Sequence, residues 1–168
     1  MDPFSKAYNL LWECLESNRD WRTSVKIANR VSFTNSYHKD PRKIAALTAD
    51  RPTVGIMPFG AKPQLGISSN TDIWVDTHRI ILVTGTLNVK DELNPLKWEI
   101  IRSFKSWVDK FKNLYLDELP TYNYVVDFKM PSYSQMPFNE VDNLTIVGWV
   151  AYFNVEIRMK LPSSVISP

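Results

Sequence analysis

The sequence contains two histidines, His38 and His78, and one cysteine, Cys14, which are the side-chain types that most often ligate transition metals or act as nucleophile and base. A zinc site needs three or four ligands, usually with one close pair, and the two histidines are forty residues apart. We therefore expect a surface or packing role for His78. Cys14 lies on a predicted helix, and His38 could become its base only through folding, so we favour a half-buried, unreactive thiol.

The other chemistry-bearing groups form no recognisable site. None of the five glycines belongs to a phosphate-binding loop pattern. The acidic pairs all fall in predicted loops, where carboxylates are normally solvated: Asp91 with Glu92, Asp117 with Glu118, and Glu140 with Asp142. We predict no catalytic, metal-binding or cofactor-binding residue, no cofactor and no enzymatic activity. An enzyme with an unrecognised site is the alternative of lowest weight.

Aromatic residues are the unusual feature of the composition, with six Trp, seven Tyr and eight Phe. Most of them recur at positions that a core would use, but some fall on polar strand faces or in predicted loops. Exposed aromatic side chains are typical anchors of protein interfaces. We weigh interface contact equally against packing for five of them, which are Tyr122, Tyr124, Tyr133, Phe138 and Tyr152.

The length of 168 residues and the balanced composition are those of one globular domain, which we place at residues 1–168. Twenty Lys and Arg against eighteen Asp and Glu give a net charge of +2, too small a bias to indicate a nucleic-acid or membrane partner. No apolar run reaches the roughly 18 residues of a membrane span. The first residues, Met1-Asp2-Pro3-Phe4, lack the basic and apolar regions of a secretory signal, so we expect a soluble intracellular protein.

The first elements are a helix and a meandering segment. Apolar residues at spacings of three and four predict a helix over residues 2–18, with Asp2 as its cap and Pro3 in its first turn. Residues 19–50 give no clear period and read as the meandering segment, with a short extended stretch over 25–33.

Two strands follow in the predicted order. Residues 53–57 are apolar and bounded by prolines, and residues 58–63 form a cluster of strand breakers. From 68 to 87 the alternation continues without a turn signal, which predicts one long strand, exposed in its first part and buried in its last. On that strand Asp76 and His78 share a face.

The second half adds one helix and two strands. A clean apolar stripe predicts a helix from Asn94 to about residue 113, and residues 121–130 read as a strand. Residues 131–143 carry two prolines and are predicted to be a loop. Residues 144–161 alternate again and predict a second long strand, and the tail that follows is expected to be loose.

The element order predicts an α+β fold, a two-layer sandwich of two helices packed on a mostly antiparallel sheet with two long strands. Strands approaching twenty residues exceed the usual 3–10 and would overhang a domain of this size. Because a bare strand edge invites pairing, the overhang favours assembly with further copies of the chain. A bent strand that curls around its own domain is the alternative.

Three segments carry a resemblance to a known family. They are Ala49-Asp50-Arg51-Pro52-Thr53-Val54-Gly55-Ile56-Met57-Pro58 after the first helix, Leu93-Asn94-Pro95-Leu96 before the second helix, and Gly148-Trp149-Val150-Ala151-Tyr152 in the last strand. With the order of the elements, these segments make the chain resemble the tail terminator (tail completion) proteins of long-tailed bacteriophages, and related proteins of prophages and gene transfer agents. Asp50 and Pro52 fit the family's pattern of an acid and a proline before an apolar strand.

The resemblance implies a structural virion protein of the tail or neck, assembled in the host cytoplasm. Members of the family form hexameric rings that cap the tail tube and join it to the head connector. The implied partners are therefore further copies of the chain, the tail tube protein, and head–tail connector or neck proteins. DNA would pass through the lumen without specific binding, which the near-neutral charge suits.

Ring contacts in this family are made mainly by sheet edges and loops, which here implies residues 67–77 and 131–143. The candidate contact residues are Asn70, Asp72, Trp74, Tyr122, Tyr124, Tyr133, Phe138, Glu140, Asp142 and Tyr152. One alternative is a neck or head-closure connector ring of the same particle. Another class of alternative is a small nucleic-acid-binding module that uses the aromatic strands. It would also need a basic patch, which the second helix provides with Lys97, Arg102, Lys105, Lys110 and Lys112.

Overall fold

The computed structural model describes residues 2–32, 52–64, 73–113, 125–139 and 147–160, in which there are three α-helices and six β-strands. The helices are α1 (Pro3–Glu16), α2 (Arg19–Ser24) and α3 (Asn94–Asn113). The strands are β1 (Arg30–Ser32), β2 (Thr53–Pro63), β3 (Ile73–Val83), β4 (Val125–Phe128), β5 (Ser132–Phe138) and β6 (Gly148–Lys160). The predicted α+β class is confirmed.

Helix α1 begins as the sequence predicts. The carboxylate of Asp2 accepts a hydrogen bond from the backbone N–H of Ser5 at 2.9 Å, and Pro3 fills the first turn, where its missing N–H costs nothing. The buried stripe of α1 consists of Ala7, Leu10, Leu11, Cys14 and Leu15. The helix is thus held at its start by a cap and along its length by one apolar face.

Helix α3 follows a single π-helical turn over Val89–Leu93. Asn88 caps that turn, because its side-chain oxygen accepts from the backbone N–H of Asp91 at 3.0 Å. The core face of α3 includes Leu96, Ile100, Phe104, Trp107 and Val108.

The sheet has the strand order β1-β2-β3-β6-β4, and β5 also pairs with β6. The short β1 is parallel to β2, and every other described pair is antiparallel. β3 runs beside β6 over its whole length, from Ile73 opposite Lys160 to Val83 opposite Val150. The two long strands of the prediction are therefore neighbours at the centre of the sheet.

β4 and β5 lie one after the other along the same edge of β6. Phe128 of β4 is opposite Ile157, and Ser132 of β5 is opposite Asn154, so the register advances along β6 in one direction. Between the two strands, the backbone N–H of Lys129 donates to the carbonyl oxygen of Glu156 at 3.2 Å. Together they form one edge strand, interrupted over residues 129–131.

The core lies between the helices and one face of the sheet. Alternate residues of β6 are buried there, and they are Ala151, Phe153, Val155, Ile157 and Met159. Facing them are the buried stripes of α1 and α3, in one continuous cluster with Val54, Ile56, Ile80 and Leu82. A smaller cluster occupies the opposite face of the sheet and consists of Ile81, Val83, Phe138 and Val150, flanked by Met57 and Tyr152.

Two predicted breaks in the sheet are wrong. Residues 131–143 were predicted to be a loop, but β5 occupies 132–138, because an edge strand tolerates a proline such as Pro137. The breaker cluster over 58–63 does not end β2, which continues to Pro63 through a β-bulge between Pro58 and Gly60. Gly60 has φ +148° there, a conformation that favours glycine.

The long strand predicted over residues 68–87 is one strand from Ile73 to Val83 in the described structure. Residues 84–87, predicted to continue it, lie beyond its end, and its first part is not exposed throughout. Asp76 and His78 are 5% and 2% exposed and face the helices. Cys14, predicted to be half-buried, is completely buried. The predictions for some parts of the chain concern residues outside the described ones, which are 33–51, 65–72, 114–124, 140–146 and 161–168.

Candidate functional site

The ten predicted contact residues divide into two groups. Six of them lie outside the described residues, and they are Asn70, Asp72, Tyr122, Tyr124, Glu140 and Asp142. The remaining four, Trp74, Tyr133, Phe138 and Tyr152, are spread over β3, β5 and β6.

Trp74 lies on β3 and Tyr133 on β5, and β6 runs between these two strands. The ring of Trp74 is half-buried and meets the ring of Phe4 edge to face, with centroids 6.2 Å apart. Tyr133 is 48% exposed on β5, and its ring contacts that of Phe153 at 5.5 Å. The ammonium of Lys97 lies 4.8 Å from the centre of the Tyr133 ring, which fixes this side chain from the helix side.

Phe138 and Tyr152 belong to the smaller cluster on the second face of the sheet. Phe138 is 6% exposed, so its own chain already covers it and packing is the role that this burial favours. Tyr152 is half-buried, and the guanidinium of Arg79 lies 5.3 Å from its ring centre and 4.3 Å from that of Phe59. Arg79 also donates to the side-chain oxygen of Asn154 at 3.1 Å.

Two sheet edges have no partner strand among the described residues. β1 pairs with β2 only from Val54 to Ile56, and residues 58–63 of β2 are exposed. At the other side of the sheet, six of the seven residues of β5 are exposed, and β5 pairs only with β6. Large apolar side chains are exposed at or next to these edges: Phe59 at 56%, Met136 at 50%, Tyr133 at 48% and Met130 at 42%.

A buried pair of titratable side chains lies on the helix-facing side of β3. Nε2 of His78 is 2.7 Å from Oδ2 of Asp76, and the two side chains are 3% and 7% exposed. Nδ1 of His78 is buried and has no hydrogen-bond partner in the described structure. The ring of Tyr8 lies 6.0 Å from the His78 ring. Nε2 of His78 therefore has a hydrogen-bond partner, and Nδ1 has none within the described structure.

A cavity of about 400 Å³ opens beside this pair, between α1, β2 and β3. Its described lining consists of Phe4, Ser5, Tyr8 and Asn9 from α1, Pro58, Gly60 and Ala61 from β2, and Asp76 and His78 from β3. The β2 bulge lies in this wall, since Pro58 is opposite His78 and Ala61 is opposite Asp76. Bulges commonly accompany functional sites, where they redirect side chains.

Sequence reasoning missed the pairing of Asp76 with His78, although it placed both on one face of a strand. The available signal was the spacing of two, which puts the side chains on the same side of the pleat. The polar character of this stretch instead indicated exposure. Burial is possible here because the two side chains form a hydrogen bond with each other.

Cys14 offers no reactive thiol. It is completely buried in the core cluster, and burial raises the pKa of its thiol well above the usual value, with the neighbouring charge of Glu13 adding to the effect. A protonated thiol without access to solvent is a packing group.

The basic side chains of α3 contact other groups of the chain, and two of them, Arg102 and Lys105, pair with carboxylates. Lys97 donates to Gln135 at 2.7 Å, Lys105 pairs with Asp109 at 2.7 Å, and Arg102 pairs with both Asp20 and Glu99 at 2.6 Å. In addition, Lys110 lies 4.4 Å from the centre of the Trp107 ring. These four side chains already have partners, which reduces what they offer to a phosphate backbone.

No group of three or more metal-ligating side chains occurs within the described ranges. Among the helices of the described residues, none is long and apolar enough to cross a membrane. Comparison with models of known protein families and with curated proteins gives no match for this chain.

Proposed function

We propose that this chain is a structural virion protein, a tail terminator that forms a hexameric ring on the tail tube and joins it to the head connector. The α+β fold and its central pair of long strands agree with the architecture that the family resemblance implies. The proposal includes no enzymatic activity. A neck or head-closure ring of the same particle is the runner-up and would use the same kind of contact.

The observation that carries the proposal is the pair of sheet edges that have no partner strand among the described residues. One is the second half of β2, and the other is β5, on the opposite side of the sheet. Two different surfaces on opposite sides of a subunit suit a head-to-tail contact, which closes into a ring when the rotation between subunits is right. A two-fold dimer would instead use one surface twice.

The side chains at these edges suit an interface. Phe59 and Met136 are each at least half exposed, one at each edge, and large apolar side chains are the usual anchors of a buried contact. Prolines flank or interrupt both edges, at Pro58, Pro63 and Pro137. Because proline blocks continuous backbone pairing, these residues would limit uncontrolled growth of the sheet while side-chain contact is still allowed.

A nucleic-acid-binding module has less support. The basic side chains of α3 that it would use have intramolecular partners, Lys97 with Gln135 and Arg102 with Asp20 and Glu99 among them. The net charge of +2 gives little long-range attraction for a polyanion.

The test is native mass across a concentration series, with negative-stain images of the same sample. We expect the mass of six subunits and particles with a central hole. Phe59→Asp and Met136→Asp should each weaken the assembly at least about tenfold, because they place a charge in an apolar contact. Trp98→Asp is the matched control, since Trp98 is 54% exposed on α3 and belongs to neither edge strand, and it should leave the ring intact.

Rings that survive both edge substitutions would contradict the proposed contact, and a monomer at every concentration would contradict self-assembly. A second experiment tests where the protein lies in the virus particle. Gold-labelled antibody against the chain should decorate the head–tail junction of particles from the host that encodes it. Labelling elsewhere, or none, would contradict the tail assignment.

A further inference from the structure

His78 lines the cavity, and one nitrogen of its ring is buried without a hydrogen-bond partner in the described structure. Its Nε2 lies 2.7 Å from the carboxylate oxygen of Asp76, and an ionised carboxylate can only accept a hydrogen bond. Nε2 therefore carries the proton, and in the neutral ring Nδ1 is left with a lone pair. Since Nδ1 is buried without a partner in the described structure, the ring holds an acceptor that is ready for a donor.

The rest of the cavity is mainly apolar. Phe4, Tyr8 and Pro58 provide ring and aliphatic surface, and no lysine or arginine is among the described lining residues. The carboxylate of Asp76 disfavours an anion in this place. A charged amine would be attracted by Asp76, but Oδ2 of that carboxylate already lies 2.7 Å from Nε2 of His78, and the mainly apolar wall replaces little of the amine's hydration shell. The lining thus selects for an uncharged molecule.

We propose that this cavity binds a small, uncharged, largely apolar molecule that donates one hydrogen bond, from an O–H or N–H group, to Nδ1 of His78. A volume of about 400 Å³ suits a molecule of one ring or a short alkyl chain. Asp76 acts as a positioning residue, because its hydrogen bond fixes which nitrogen of the imidazole is free to accept. The inference concerns binding alone and does not depend on the proposed hexameric assembly.

Phenol is the probe, because it combines an apolar ring with one O–H donor. Anisole is its matched control, since it keeps the ring and the oxygen but has no donor. The full-length chain is titrated with each and followed by its amide and imidazole nitrogen resonances. We expect saturable binding of phenol, a shift of the His78 Nδ1 resonance towards that of a hydrogen-bonded acceptor, and at least about tenfold weaker binding of anisole.

The location is tested with a matched pair of variants. Ala61 is exposed and lines the cavity, so Ala61→Phe should fill its mouth and weaken phenol binding at least about tenfold. Lys62 is the next residue, is also exposed and is not among the described lining residues, so Lys62→Phe should leave binding unchanged. Equal affinities for phenol and anisole, no saturable binding up to the solubility limit of phenol, or a Nδ1 resonance that does not move would each overturn the proposal.

Discussion

Thr84 and Trp149 exchange two hydrogen bonds at the end of the β3–β6 pair. The backbone N–H of Thr84 donates to the carbonyl oxygen of Trp149 at 2.9 Å, and the backbone N–H of Trp149 donates to Oγ1 of Thr84 at 2.8 Å. The indole N–H of Trp149 also donates to the carbonyl oxygen of Leu87 at 3.2 Å. These bonds fix the start of β6 against the turn that leads to α3.

We predict that Gly148→Ala destabilises the fold by about 1–3 kcal/mol, as overpacking of a tight site does. A Cβ at this position would lie 2.5 Å from the carbonyl oxygen of Thr84 and 2.9 Å from the ring of Phe138. The carbonyl is held by the backbone and cannot move away without disturbing the end of the sheet. Urea denaturation measures the change, and Ser134→Ala on the exposed β5 is the control, expected to stay within about 0.5 kcal/mol. A neutral Gly148→Ala variant would contradict the close approach.

Asn18 joins the turn between α1 and α2 to α3. Its side-chain oxygen accepts from the backbone N–H of Asp20 at 3.0 Å and so caps α2, while its amide donates to the carbonyl oxygen of Glu99 at 3.1 Å and to Oγ of Ser103 at 2.9 Å. We predict that Asn18→Ala lowers the free energy of unfolding by about 1–3 kcal/mol, because a cap and two partly buried bonds are lost together.

Asn18→Asp tests the contribution of the amide group separately from that of the cap. It keeps the capping oxygen but replaces the donating amide with a carboxylate next to the side chain of Glu99, which now accepts from Asn18 at 2.9 Å. We expect it to be destabilised as well, through repulsion instead of loss of the cap. Ser24→Ala at the exposed end of α2 is the control in the same denaturation experiment. An Asn18→Asp variant as stable as the parent would contradict a net repulsion by Glu99, since Arg102, which donates to Oδ1 of Asn18 at 3.2 Å, would then offset it.

Cys14 gives a prediction about alkaline pH. Its pKa is raised in the folded chain, so between about pH 8.5, where a free thiol titrates, and the raised value, the unfolded chain loses a proton that the folded chain keeps. The unfolded state then binds fewer protons, and stability falls as pH rises, by at most about 1.4 kcal/mol per pH unit. Below that window the effect is absent.

The measurement compares the parent with Cys14→Ala by urea denaturation from neutral to alkaline pH. Groups other than the thiol titrate alike in both chains, so the difference between the two curves isolates Cys14. We expect the parent to lose stability faster than the variant above about pH 8.5. Parallel curves would contradict the burial of the thiol. A thiol reagent should also react with the parent only through its unfolded population.

Helices α1 and α3 and the central strands could be predicted because their patterns are long and regular, whereas α2 lies in the segment that was predicted to meander. The stripe of α1, from Ala7 to Leu15, and the alternation of β6, from Ala151 to Met159, each repeat often enough to identify period and buried face. The π-helical turn before α3 was not predictable, since nothing local distinguishes it from an α-helical start.

The errors lie where a tertiary contact overrides a local preference. Pro137 indicates a loop in isolation, but an edge strand tolerates the missing N–H of a proline, so β5 forms. Gly60 indicates an end to β2, but it instead allows the bulge that lets the strand continue. Asp76 and His78 each favour solvent. They are buried because they contact each other and because α1, through Tyr8, packs against His78.

The central position of β6 has a consequence for how the chain is made. Of the described strands it is the last to leave the ribosome, yet it lies between β3 on one side and β4 and β5 on the other. Until residues 148–160 have emerged, neither half of the sheet has its inner neighbour, and Ile80 and Leu82 have no strand beside them on that side. A product that stops before these residues would therefore expose the interior edge of β3 and aggregate, and the nascent chain acquires its cooperative structure only once β6 has emerged.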